Sequence, residues 1–277
     1  MSRPFRQVDV FTDELGLGNP VAVVLDGKGL TDDEMARFAR WTNLSETTFV
    51  LPPTDPAADY WVRIFTPSQE LPFAGHPTVG TCHAWLEAGG APKAADHITQ
   101  QCGVGLVELR RTDGRIAFAT PPLIRSGTPT GDELAHATEA LGLDAAEVIG
   151  AAWIDNGPGW MGVLLDDPDR VASLTPTLEP ADKFGVVAAT GATEPDEPAL
   201  VVRAFFHAGG TREDPVTGSL NGSVAQWLLG SGRVGAPYVA SQGTAMQRNG
   251  RVHVSEADGE IWIGGDAVTG IIGTVDL

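Results

Sequence analysis

Two segments of this chain repeat one pattern 138 positions apart, about half of its 277 residues. One reads His76-Pro77-Thr78-Val79-Gly80-Thr81 and the other Asp214-Pro215-Val216-Thr217-Gly218-Ser219. Each follows a strand-like run, Val62-Arg63-Ile64-Phe65 and Val202-Arg203-Ala204-Phe205, and each leads into an apolar stretch that ends in glycine. The echo continues from Gln101-Cys102-Gly103 and Asp113-Gly114-Arg115-Ile116 to Gln242-Gly243 and Asn249-Gly250-Arg251-Val252. Two copies make a duplicated domain and not a solenoid array. Two similar halves suggest one site between them, and the copies differ at His76 against Asp214.

Local patterning agrees. Alternation predicts strands at 7–11, 21–25, 47–51, 60–65, 105–109 and 115–119, then near 161–165, 200–206, 238–240, 251–255 and 260–263. Helices are expected from Thr31 to Thr42, with Thr31 as cap and Asp32, Asp33 and Glu34 in the first turn, and from Asp132 to Leu141, stopped by Gly142. Acidic runs at 166–169 and 194–197 read as solvated loops, the second a turn-rich connection. Pro121-Pro122 breaks the pattern. The chain therefore divides into an N-terminal half, 1–119, and a C-terminal half, 120–277, with the last residues able to return to the first half. Strands outnumber helices, and each half has one markedly apolar helix. The expected class is α+β, two pseudo-symmetric duplicated domains, each a curved sheet around a central helix.

Composition bounds the chemistry. Eighteen basic against thirty-six acidic residues, a net charge of −18, argue against sequence-independent nucleic-acid binding, which needs a basic footprint. Two cysteines make no disulfide framework, and six scattered histidines show no ligand spacing, so no metal is expected. The N-terminus lacks a signal-peptide core and no apolar run is long enough to span a membrane, which leaves a cytoplasmic setting as the default. No dinucleotide or P-loop fingerprint occurs.

Each repeat reads as a helix N-terminus, with proline early and small residues at Gly80-Thr81 and Gly218-Ser219. Free amides and the helix dipole make such ends anion sites, and a pair could hold a carboxylate. By themselves these residues also have plainer readings: His76 a surface or capping histidine, Asp214 a helix cap, Glu46 a solvated loop charge just before a strand.

Three segments together resemble the phenazine-biosynthesis PhzF-like family: Asn43-Leu44-Ser45-Glu46-Thr47-Thr48-Phe49, the stretch from Phe65-Thr66-Pro67 to Leu71-Pro72-Phe73-Ala74-Gly75-His76-Pro77-Thr78, and Glu213-Asp214-Pro215-Val216-Thr217-Gly218-Ser219. The opening, Val8-Asp9-Val10-Phe11-Thr12 to Gly18-Asn19-Pro20-Val21-Ala22-Val23, is similar to that family's N-terminus; 119–199 is the most divergent stretch. The resemblance implies the diaminopimelate-epimerase-like fold, a cleft between the two domains, a homodimer and no cofactor. It implies isomerisation of the trans-2,3-dihydro-3-hydroxyanthranilate type, with Glu46 moving a proton from C3 of the ring toward C1, His76 and Asp214 assisting, and Ser45, Gly75, Gly218 and Ser219 lining the substrate pocket. The residue types suit the task. A partly buried carboxylate can take a proton from carbon and return it, while fixed donors hold the substrate acid. Racemases of this fold use a cysteine at each helix mouth, and neither Cys82 nor Cys102 lies there; both read as buried or incidental. A one-base epimerase, a cyclisation-assisting enzyme or a binding protein on the same scaffold remain alternatives.

Overall fold

In a computed structural model, all residues are described except Asp113, Pro195 and Asp196. The expected echo at Asp113 and part of the 194–198 connection lie outside the described residues. The chain divides into two compact units, Met1–Ala119 with Gly264–Leu277, and Thr120–Ile263.

The first unit begins with β1 (Ser2–Val10), β2 (Asn19–Val24), α1 (Asp32–Thr42) and β3 (Glu46–Leu51). It continues with β4 (Tyr60–Phe65), β5 (Glu70–Leu71), α2 (Gly75–Glu87), β6 (His97–Cys102), β7 (Gly105–Thr112) and β8 (Arg115–Ala119). Helix α1 forms where the sequence places it. Thr31 and Glu34 make a reciprocal capping box, Met35, Phe38 and Ala39 face the core, and Asn43 ends the helix in the left-handed region that asparagine tolerates. Its apolar face packs with Val24, Phe49 and Phe65.

Helix α2 has no polar face. Nine of its residues are buried, from Gly75 to Cys82 and at Ala84, so it is a core element. It packs on β1, β2, β3 and β8, and the sheet curls around it. Gly80 permits the approach: a Cβ there would lie 2.4 Å from Val21 Cγ1 and 2.8 Å from Val10 Cγ2.

The second unit contains β9 (Arg125–Gly127), α3 (Gly131–Leu141), β10 (Val148–Asp155), β11 (Met161–Leu165), α4 (Pro168–Ser173) and β12 (Lys183–Ala189). Then come β13 (Pro198–His207), β14 (Thr211–Asp214), α5 (Gly218–Gly230), β15 (Tyr238–Gln242), β16 (Gly250–Ala257) and the start of β17 (Glu260–Gly265), whose last two residues belong to the first unit. Helix α3 is capped by Thr130 with Glu133 and stopped by Gly142 at φ 66°. Helix α5 is the buried central helix here, with Leu220 against Gly185 of β12 and Trp227 against Gly162 of β11. The chain then returns to the first unit as β18 (Ala267–Asp276), antiparallel to β1.

The same pairings recur in each unit. Antiparallel β1–β2, parallel β2–β3, antiparallel β3–β4 and β4–β5, parallel β4–β6 and antiparallel β6–β7 match β10–β11, β11–β12, β12–β13, β13–β14, β13–β15 and β15–β16 in turn. Two sequence expectations are corrected. The acidic run at 166–169 is not all loop: Asp167 caps α4, with Pro168 in its first turn. The register of the repeat is also different. Phe65 lies opposite Glu70 and Phe205 opposite Glu213, and five residues beyond each glutamate a central helix begins, at Gly75 and at Gly218. The counterpart of His76 is therefore Ser219, and that of Asp214 is Leu71. The β13–β14 hairpin is the longer one, with seven residues between the paired Phe205 and Glu213 against four between Phe65 and Glu70, and sequence matching placed that slack in the wrong position.

Candidate active site

Glu46 is the first residue of β3, beside Val21 of β2 through the parallel pairing. His76 is the second residue of α2. The two meet: His76 Nδ1 lies 3.4 Å from Glu46 Oε2, with 5% of the imidazole and 14% of the carboxylate side chain exposed. Asn19, buried at the start of β2, brings its Nδ2 to 3.5 Å from the same Nδ1. Two hydroxyl bridges fix the geometry. Thr81 of α2 donates to Thr48 of β3 at 2.8 Å, and Thr42 and Thr47 lie 2.7 Å apart, tying the end of α1 to the same strand. These neutral bonds, each contributing about 1 kcal/mol, lock helix to strand just beyond Glu46 and His76.

Burial pushes the His76 imidazole down to about 3, against the opposing pull of the Pro20 carbonyl. The histidine is neutral at pH 7, and its contact with Glu46 is a polar contact and not an ion pair. A neutral imidazole beside a carboxylate donates one proton through one nitrogen and accepts through the other, which suits it to orient or relay a proton.

Asp214 ends β14, opposite Ala204 of β13. It is not the helix cap that Asp-Pro suggested, because α5 starts only at Gly218 with Thr217 before it. Its Oδ2 accepts from Thr217 Oγ1 at 2.6 Å. Ser219, second in α5, accepts at Oγ from Trp160 Nε1 at 3.3 Å and at its carbonyl from Asn156 Nδ2 at 3.0 Å. The residue before each central helix makes no side-chain cap, since Ala74 precedes α2 and Thr217 turns its hydroxyl elsewhere. Ser45 is exposed, and Gly75 and Gly218 are buried first residues of their helices. The first unit thus brings together Glu46, His76 and Gly75, and the second Asp214, Gly218 and Ser219.

The short strand before each central helix is held by an arginine fork. Arg63 of β4 grips Glu70 at 2.7 and 2.6 Å and reaches Asp32 at 2.6 Å. Arg203 of β13 grips Glu213 at 2.9 and 2.7 Å and caps α4 by donating to the carbonyls of Val171, Ala172 and Leu174. Both arginines sit in the repeated strand motif, but their role is invisible without the pairing. Asn19, Asn156, Trp160 and Gln242 were not picked out by sequence reasoning; of these only Asn19 and Gln242 lay in segments that carried a signal. Both cysteines are buried, and burial pushes the Cys82 thiol up to about 12, so it is packing and not a base. Among the described residues no cluster of His, Cys, Asp and Glu could hold a metal ion, and no helix is long and apolar enough to cross a membrane.

Residues 8–273 match the family model for phenazine biosynthesis-like proteins, PhzC-PhzF. The chain belongs to that family. This PhzC-PhzF protein is 34% identical to antisense-enhancing sequence 1 of Schizosaccharomyces pombe, covering 97% of each chain. It is 33% identical to the trans-2,3-dihydro-3-hydroxyanthranilate isomerase of Pseudomonas aeruginosa, covering 91% of this chain and 90% of that one. The crystal structure of a PhzF-family phenazine biosynthesis protein from Bacillus anthracis aligns over 100% of both chains with a TM-score of 0.82 and 26% identity. The PhzC-PhzF protein described here is an enzyme of the isomerase class.

Proposed function

We propose that this protein is a cofactor-independent isomerase that shuttles a proton on a small carboxylate-bearing metabolite, of the trans-2,3-dihydro-3-hydroxyanthranilate type. The observation that carries this reading is the contact of Glu46 with a neutral, buried His76. A carboxylate acting on carbon must take a proton and return it to a different atom, and a neighbour that carried a fixed positive charge would hold the proton-free form too firmly. In this scheme Glu46 removes the proton from C3 of the ring, electrons move through the conjugated system, and Glu46 delivers a proton at C1 after exchange with solvent. His76 and Asp214 orient or relay protons during the transfer. Ser45, Gly75, Gly218 and Ser219 line the substrate, whose acid group is drawn to helix starts that Ala74 and Thr217 leave without a side-chain cap. The reading extends to a homodimer in the cytoplasm and to an origin of the chain by duplication of halves 1–119 and 120–277, which the matched strand pairings support.

The test is turnover of trans-2,3-dihydro-3-hydroxyanthranilate in deuterated water by wild type and by Glu46→Gln. Loss of the diene absorbance with deuterium entering the ring, absent in the variant, is the expected result. Wild-type rates from Glu46→Gln would remove Glu46 from the mechanism. No turnover by either protein would refute this substrate.

A further inference from the structure

Thr217 stands where a threonine ordinarily caps a helix by accepting from an amide of the first turn. It makes no such bond. Its hydroxyl points to Asp214, and Gln242 accounts for the direction. Gln242 is fully buried at the end of β15. Its Oε1 accepts from the Thr217 amide at 3.1 Å and from Asn221 Nδ2 at 2.8 Å. Its Nε2 donates to the Asp214 carbonyl at 3.0 Å and to Thr217 Oγ1 at 2.9 Å. The carboxamide cannot be turned over. A backbone N–H faces its oxygen and a backbone C=O faces its nitrogen, and neither can exchange roles. Thr217 Oγ1 therefore accepts an N–H hydrogen bond from Gln242, and its own O–H donates to Asp214 Oδ2 at 2.6 Å, the short distance of a bond to a charged acceptor.

We infer that Gln242 and Thr217 are positioning residues that form a one-way hydrogen-bond relay onto Asp214. They fix its side-chain rotamer and dedicate Oδ2 to a resident donor. The relay rests on the reading of Asp214 as part of the catalytic apparatus. The chain arrangement makes the coupling tight: one side chain of β15 holds both ends of the four-residue turn from Asp214 to Thr217, and Asn221 ties it to α5 by donating to the Thr217 carbonyl at 3.0 Å.

The test compares Thr217→Val, which keeps the shape and loses the hydroxyl, with Thr217→Ser, which keeps the hydroxyl. Two readouts are needed. In ¹³C-labelled protein at pH 7, the Asp214 carboxyl resonance, assigned by its loss in Asp214→Asn, shifts in Thr217→Val and returns in Thr217→Ser. With trans-2,3-dihydro-3-hydroxyanthranilate, kcat falls on the order of ten-fold in Thr217→Val with KM nearly unchanged, and Thr217→Ser restores most of it. An Asp214 resonance that ignores Thr217→Val overturns the relay whatever the turnover. Equal loss in Thr217→Ser and Thr217→Val also overturns it, since packing alone would then explain the effect. The expected resonance shifts, with no turnover of this compound by wild type, uphold the relay and refute the trans-2,3-dihydro-3-hydroxyanthranilate reading instead.

Discussion

Acid should loosen this protein through one residue. His76 is buried, and its proton affinity falls from the ordinary 6.5 to about 3 in the folded chain. Below pH 6.5 the unfolded chain takes up a proton that the folded chain refuses, so stability falls as pH falls from 6.5 toward 3 and is unaffected by this group above 6.5. At 1.36 kcal/mol per unit, the full window corresponds to about 5 kcal/mol, and about 2.7 kcal/mol of it is lost between pH 7.5 and pH 4.5. The Glu46 carboxylate 3.4 Å away favours the charged imidazole, so these figures are upper values. The assay is urea unfolding across that range for wild type and His76→Asn, which keeps a polar atom near the Nδ1 position and cannot titrate. Losses from other groups occur in both proteins and cancel in the difference, including that from His83, whose proton affinity burial also lowers. Wild type should lose up to about 2.7 kcal/mol more than the variant by pH 4.5. Parallel profiles would refute the argument, because they would put the folded-state proton affinity of His76 at its ordinary value and show that burial does not keep the imidazole neutral below pH 6.5.

The two arginine forks should differ in weight. Arg203 and Glu213 are mostly buried, at 8% and 13% side-chain exposure, so Arg203→Met should cost about 3–5 kcal/mol in urea unfolding by leaving Glu213 and the α4 carbonyls without their partner. Arg63→Met, whose acids Glu70 and Asp32 are far more exposed, should cost about 1 kcal/mol or less. Gly80→Ala should destabilise by about 1–3 kcal/mol, measured the same way, because its methyl would strike Val21 and Val10. An unchanged Gly80→Ala protein would mean that α2 can lift from the sheet without cost.

Helices α1 and α3 were legible because their signals are local. Thr31 with Glu34 and Thr130 with Glu133 are complete capping boxes within four residues, and Gly142 is a stop that needs no tertiary partner. Strand β18 was not assigned as a strand. Most of its side chains are exposed and it pairs with β1, at the other end of the chain, so no alternation marks it. Helix α4 was overlooked because six residues carry too little periodicity to outweigh an acidic run.

The family motifs are contiguous in sequence, and so is the repeated proline-and-glycine punctuation; together they were enough to mark an α+β fold and to single out Glu46, His76 and Asp214. Their environments were decided only by folding. Glu46 and His76 are 30 residues apart in sequence and meet because β3 pairs beside β2 while α2 packs on β2 through Gly80 and is tied to β3 through Thr81 and Thr48. The true register of the repeat, His76 with Ser219, follows from which residues face each other across β4–β5 and β13–β14. Burial makes His76 neutral, and Gln242, 28 residues beyond Asp214, directs the proton of Thr217. Sequence fixes which groups are present and what they can do locally; strand register and burial fix their neighbours and charge, and both are properties of residues far apart along the chain.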